Sequence, residues 1–129
     1  MVAQAIAEQP NECCGLLAGI VEMRSYVRVA RALKRYPLVN EARSPIMFHN
    51  GGRDLFEATR DMRKYSMDTL AVYHSHPTSP PVPSRTDIEK NWGTGVMTII
   101  VSLATTPPTL RGWWLEEASY REAEWEVVD

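Results

Sequence analysis

The longest apolar run in the chain, Cys13 to Val21, is nine residues long, and that length restricts what it can become. Crossing a bilayer takes roughly 20 apolar residues. A continuous run of this size suits a strand buried on both faces, and Leu16 to Val21 is read that way. A second run, Tyr26 to Leu33, alternates loosely, with Val27 and Val29 on one face and Arg28 opposite, and reads as a strand pairing back on the first. Val96 to Leu103 and Leu110 to Leu115 read as further strands, as does Leu70 to His74. Tyr120 to Val128 adds a last one through the alternation of Trp125 and Val127 with Glu124 and Glu126. Helical spacing occurs in Val2, Ala5 and Ile6, before Pro10. It recurs over Arg53 to Tyr65, where Leu55, Ala58, Met62 and Tyr65 form a stripe. The segment from Lys34 to Asn50, with Pro37 and Pro45, is expected to be loop with some extended structure. His49 to Gly52 signals a turn.

These elements fit a single domain, residues 1–129, of α/β class; 44% hydrophobic residues suffice for one core. A net charge of -2 offers no basic excess for phosphates, which argues against nucleic acid as the main partner. The two cysteines, Cys13 and Cys14, are neighbours and cannot staple distant segments. They read as reduced thiols, which favours the cytoplasm. Met1–Gln9 is too short and polar for a signal peptide, and no membrane partner is expected.

The chemistry concentrates in His74-Ser75-His76-Pro77, at the end of a predicted strand. Side chains two apart on a strand share a face, with α-carbons about 6.5 Å apart, so both imidazoles can lean onto one ion. Asp87 can supply a third ligand. Two histidines, one carboxylate and a position left for water describe a catalytic zinc site, whereas structural sites close all four positions. Two other readings stay open. A His-x-His pair also occurs as a hydrogen-bonded surface pair, and Ser84-Arg85-Thr86-Asp87 fits a capping box that starts a brief helix. Between them, Pro77, Pro80, Pro81 and Pro83 stiffen the connecting loop.

His74-Ser75-His76, seven residues, Ser84, two residues and Asp87 resembles the signature of the JAMM (MPN-plus) zinc metallopeptidases. Pro10-Asn11-Glu12-Cys13-Cys14-Gly15-Leu16-Leu17-Ala18-Gly19 resembles the segment that carries that family's catalytic glutamate, and Tyr73 and Asn40 suit it too. The RadC family has a similar His-x-His-Pro stretch without the upstream element, so the likeness is to the small bacterial and archaeal type. Relatives commonly have a short strand before the first helix, where this chain starts. The resemblance implies a JAMM/MPN fold, a curved mixed β-sheet flanked by helices. It implies zinc held by His74, His76 and Asp87, Glu12 as general acid–base, and Ser84 as hydrogen-bond donor to the oxyanion. It further implies hydrolysis of amide bonds at the C-terminal Gly-Gly tail of a ubiquitin-like protein, a sulfur carrier for the small relatives. The competing functions are a non-enzymatic scaffold of the same fold and a zinc hydrolase of a small peptide. Cys13 and Cys14 are expected to be buried thiols rather than nucleophiles, His49 exposed, and Trp92, Trp113, Trp114 and Trp125 core or sheet-face residues.

Overall fold

The structure, a computed structural model, describes residues 1–47, 49, 51–90 and 95–127. In chain order the elements are α1 (Val2–Ala7), β1 (Cys14–Arg24), β2 (Val27–Leu38), α2 (Gly52–Lys64), β3 (Asp68–His76), α3 (Arg85–Glu89), β4 (Met97–Ser102), β5 (Thr109–Leu115) and β6 (Tyr120–Ala123). The strands form one mixed sheet in the order β2-β1-β3-β4-β5-β6. Among the described residues only β3 and β4 are parallel, and α3 lies in the connection between them. Among the described residues no helix is long and apolar enough to cross a membrane.

Strand alternation divides the apolar residues between two layers. Cys14, Leu16, Ala18 and Val72 pack with Ala58 and Met62 of α2. Cys13, Ala71, Tyr73, Ile99 and Val101 pack with Ala5 of α1 on the other face. Polar contacts pin both helices. The Tyr36 hydroxyl and the Lys34 ammonium reach Asp61 of α2 at 2.5 and 2.7 Å. Gln4 of α1 donates to the Cys14 carbonyl at 3.0 Å and accepts from the Tyr73 hydroxyl at 2.5 Å.

Several expected boundaries move. β2 does not end near Leu33 but runs through Pro37 to Leu38. It is an edge strand, where a missing N–H is tolerated. β1 is buried over its first half only, and Ile20 and Val21 are exposed. β3 pairs with β1 no further than Gly19, so among the described residues the rest of the β1–β2 hairpin has no third strand beside it. Tyr65, expected as the last member of the apolar stripe, lies past the end of α2 and is exposed. β6 stops at Ala123, and Trp125 and Val127 are exposed rather than strand residues, while Val128 falls outside the described residues.

Gly15 pairs with Tyr73 across β1 and β3, and a Cβ placed on it would overlap the Tyr73 ring. That ring cannot step aside freely, because its hydroxyl is held by Gln4 and Arg35. Gly15→Ala should therefore destabilise the protein by about 1–3 kcal/mol, the usual cost of overpacking. Urea denaturation measures it, and an unchanged midpoint would mean that Tyr73 relaxes easily.

Candidate metal centre

Period-two alternation along β3 puts His74 and His76 on the face that also carries Val72, and Ser75 on the opposite one. The imidazole Nε2 atoms are 3.3 Å apart. Asp87 joins them from the first turn of α3, with Oδ1 at 3.0 Å from His74 Nε2 and Oδ2 at 3.1 Å from His76 Nε2. All three side chains are buried.

The helix start that presents Asp87 is the capping box read from the sequence. Ser84 Oγ accepts from the Asp87 N–H at 3.1 Å, and Asp87 Oδ2 accepts from the Ser84 N–H at 2.8 Å. Capping and convergence on the imidazoles are thus properties of one carboxylate. Because Ser84 Oγ serves the cap as an acceptor, its own O–H proton remains available to donate.

The residues fit a zinc ion. Four donors at about 2.0–2.1 Å in tetrahedral arrangement stand roughly 3.3–3.4 Å from one another, close to the separations here. The tautomer of His76 also suits ligation. Its Nδ1 is 2.8 Å from the Pro80 carbonyl, which only accepts, so Nδ1 carries the proton and neutral His76 keeps a lone pair on Nε2.

Glu12 arrives from just ahead of the neighbouring strand, β1. Cys14 pairs with His74, and the Ser75 N–H donates to the Cys13 carbonyl at 3.0 Å, so the same antiparallel register puts Glu12 opposite His76. Cross-strand partners share a face. Glu12 is only 2% exposed, and its Oε1 has no hydrogen-bond partner among the described residues. Burial pushes its carboxyl up to about 8; the His76 charge works against that, the Asp87 charge with it, and Lys90 against it. Asp87 is shifted the other way. Burial would raise it, but hydrogen bonds from both imidazoles and the Ser84 N–H hold it well below the usual carboxylate range. His76 is raised: burial opposes its charged form, but Asp87 and the Pro80 carbonyl outweigh this.

All five residues predicted from the sequence lie in this one region. Cys13 and Cys14 are buried and not disulfide-bonded, and burial drives the Cys14 thiol up to about 12, which suits packing rather than nucleophilic attack. His49 is exposed, as expected. Trp113 is buried, Trp114 half-buried and Trp125 exposed, and Trp92 lies outside the described residues.

Sequence reasoning missed the supports. Ser75 Oγ accepts from the Cys13 N–H at 2.7 Å on the far face of β3. Trp113 Nε1 donates to the Pro81 carbonyl at 2.8 Å, and the Ser102 hydroxyl to the Ser79 carbonyl at 2.6 Å, so β4 and β5 brace the proline loop. Asn40 donates to the Glu12 carbonyl at 3.0 Å. No local pattern marks such contacts, because their partners are distant in sequence.

Residues 1–116 match the family described as prokaryotic homologs of the JAB domain. The chain belongs to that family. The JAB chain is 32% identical over 89 residues to the CysO-cysteine peptidase of Mycobacterium tuberculosis, covering 69% of this chain and 57% of the relative. It is 30% identical over 99 residues to the desampylase of Haloferax volcanii, covering 76% of this chain and 67% of that one. A protein of Desulfitobacterium hafniense with a solution structure shares the fold with a TM-score of 0.79 at 33% identity, over 96% of this chain and 83% of its own. The JAB chain therefore spans little more than half the length of its mycobacterial relative.

The opposed shifts give the metal-free protein a definite pH dependence. A carboxyl raised in the fold contributes stability fully present below its unfolded value, 4.5 for Glu12, and lost as pH rises through about 8. The raised His76 acts in the same direction above its unfolded 6.5. Asp87, depressed, contributes stability present above 3.8 and lost only as pH falls below it. Chelator-treated protein should thus weaken between about pH 5 and 9, and Glu12→Gln should flatten that decline. Urea midpoints across this range test it; parallel profiles for the two proteins would sink the assignment.

Proposed function

We propose that this JAB protein is a zinc-dependent isopeptidase that hydrolyses an amide bond at the C-terminal Gly-Gly tail of a ubiquitin-like protein, of the sulfur-carrier type. The observation that carries the reading is the buried convergence of His74, His76 and Asp87 at donor separations a zinc ion requires, with Glu12 on the same face. The substrate class draws support from the names of the relatives, a CysO-cysteine peptidase and a desampylase.

His74, His76 and Asp87 would hold the ion. Zinc bound there supplies Lewis acidity, lowering the pKa of water from 15.7 to about 7 and polarising a carbonyl. Glu12, buried on the same face, accepts the proton of the attacking water and returns it to the departing amine. Ser84 keeps its cap and turns its free hydroxyl proton toward the oxyanion. The proline loop and its braces hold Asp87 and His76 in place while substrate exchanges.

Purified protein should contain about one zinc per chain, and His74→Ala, His76→Ala and Asp87→Ala should each lower that content. Glu12→Gln should keep the metal and lose at least about a hundredfold in turnover. The assay is a folded ubiquitin-like carrier with an amide-linked reporter after its Gly-Gly, run beside the free tail peptide. Protein that takes up no zinc, or a Glu12→Gln variant with undiminished turnover, would refute the reading. Equal rates on carrier and free peptide would point to a small-peptide hydrolase instead.

Ser84 can be tested separately from its cap. Ser84→Ala removes cap and donor together, at about 1 kcal/mol of stability. Aspartate still caps, so Ser84→Asp should fold normally, yet its charge beside the oxyanion should abolish turnover. Metal content and melting temperature are followed alongside the rate. A stable, zinc-loaded, fully active Ser84→Asp protein would leave Ser84 as a cap alone.

A further inference from the structure

Glu12 lies two residues before β1 begins, so no regular strand ladder takes up its backbone N–H and C=O. The residue is nonetheless buried, and buried backbone groups need partners. One turn supplies both. The Ser44 carbonyl accepts from the Glu12 N–H at 2.8 Å, and Asn40 Nδ2 donates to the Glu12 carbonyl at 3.0 Å. Asn40 is itself buried, and its carboxamide is fully used. Nδ2 also donates to the Met47 carbonyl, and Oδ1 accepts from the N–H groups of Ala42 and His49, each at 3.0 Å.

One oxygen of the Glu12 carboxyl, Oε1, has no comparable anchor, since it has no hydrogen-bond partner among the described residues. Its position opposite His76 depends on how the backbone is held. We infer that Asn40 is a positioning residue for Glu12, clamping the backbone of the proposed base and tying it to Ala42, Met47 and His49. The catalytic part of this inference rests on Glu12 being the base; the clamp itself does not. A buried, fully satisfied amide has one favourable orientation, so the clamp is stiff. Misplacing a catalytic group by about 1 Å can cost on the order of a hundredfold in rate.

Two variants test it. Asn40→Asp keeps the acceptor oxygen and removes the Nδ2 donor; Asn40→Ser removes the amide without adding charge. Backbone amide exchange, read by NMR, should rise at least tenfold at Glu12 to Cys14 in both, with β4 amides unchanged. Zinc content should also be unchanged. On the carrier reporter, kcat should fall at least tenfold with KM within about twofold. Introduced into Glu12→Gln protein, neither variant should lower the residual turnover further, because a residue acting through Glu12 has nothing left to position. Unchanged exchange at Glu12, an additive loss in the Glu12→Gln background, or failure of both variants to fold would overturn the proposal and leave Asn40 a structural residue. A fully active Glu12→Gln protein would instead overturn the base reading, while the exchange result would still decide the clamp.

Discussion

The site depends on the terms on which the Asp87 carboxylate is buried. A charged carboxylate in a protein interior is strongly unfavourable unless every lone pair finds a partner. Asp87 finds three: the Ser84 N–H and the two imidazoles. The first fixes where α3 starts, and the others fix how close that start stands to β3. Asp87→Asn could still accept at the cap, but it would remove the charge that favours protonation of His76 and would attract a cation. The start of α3 and the convergence on the two imidazoles are therefore coupled through one side chain.

Glu12 and Asp87 show how environment separates two like groups. Both are buried carboxyls near His76, yet one is raised to about 8 and the other held far below its ordinary value. The difference is hydrogen bonding. Asp87 accepts from several donors, whereas Glu12 Oε1 accepts from none among the described residues. Carboxyls pushed apart in this way have environments suited to different tasks, and the roles proposed for Asp87 and Glu12 follow that division.

The parts of this arrangement that were legible in the sequence are those set by local periodicity. His74 and His76 share a face because strands repeat every two residues, and Ser84 and Asp87 are joined by the three-residue spacing of a capping box. Glu12 was legible only through resemblance, since nothing local marks a glutamate after Pro10 as buried. Asn40 could not be assigned a role, because the Glu12 carbonyl it holds is 28 residues away. The fold failed to show itself at the edges. Pro37 signals loop in isolation and is tolerated because β2 has only one neighbour, and the alternation at Trp125 and Val127 persists after pairing has ended at Ala123. In each case sheet context outweighed local propensity.

The topology explains why the chemistry gathers at this corner. β1 and β3 are antiparallel neighbours, so the start of one lies beside the end of the other, and Glu12 meets His76 without any long excursion of the chain. β3 and β4 are parallel, with His76 opposite Ser102, so the chain must leave the end of β3 and travel back before β4 can begin. That return path is where α3 and Asp87 lie. Its first stretch is stiffened by four prolines and bonded to Trp113 and Ser102, so the segment that leads from His76 to Asp87 is braced against β4 and β5. One parallel pair in an otherwise antiparallel sheet thus brings three chain segments to a common point, and the backbone bonds at Glu12 fix the side from which its carboxyl faces His76.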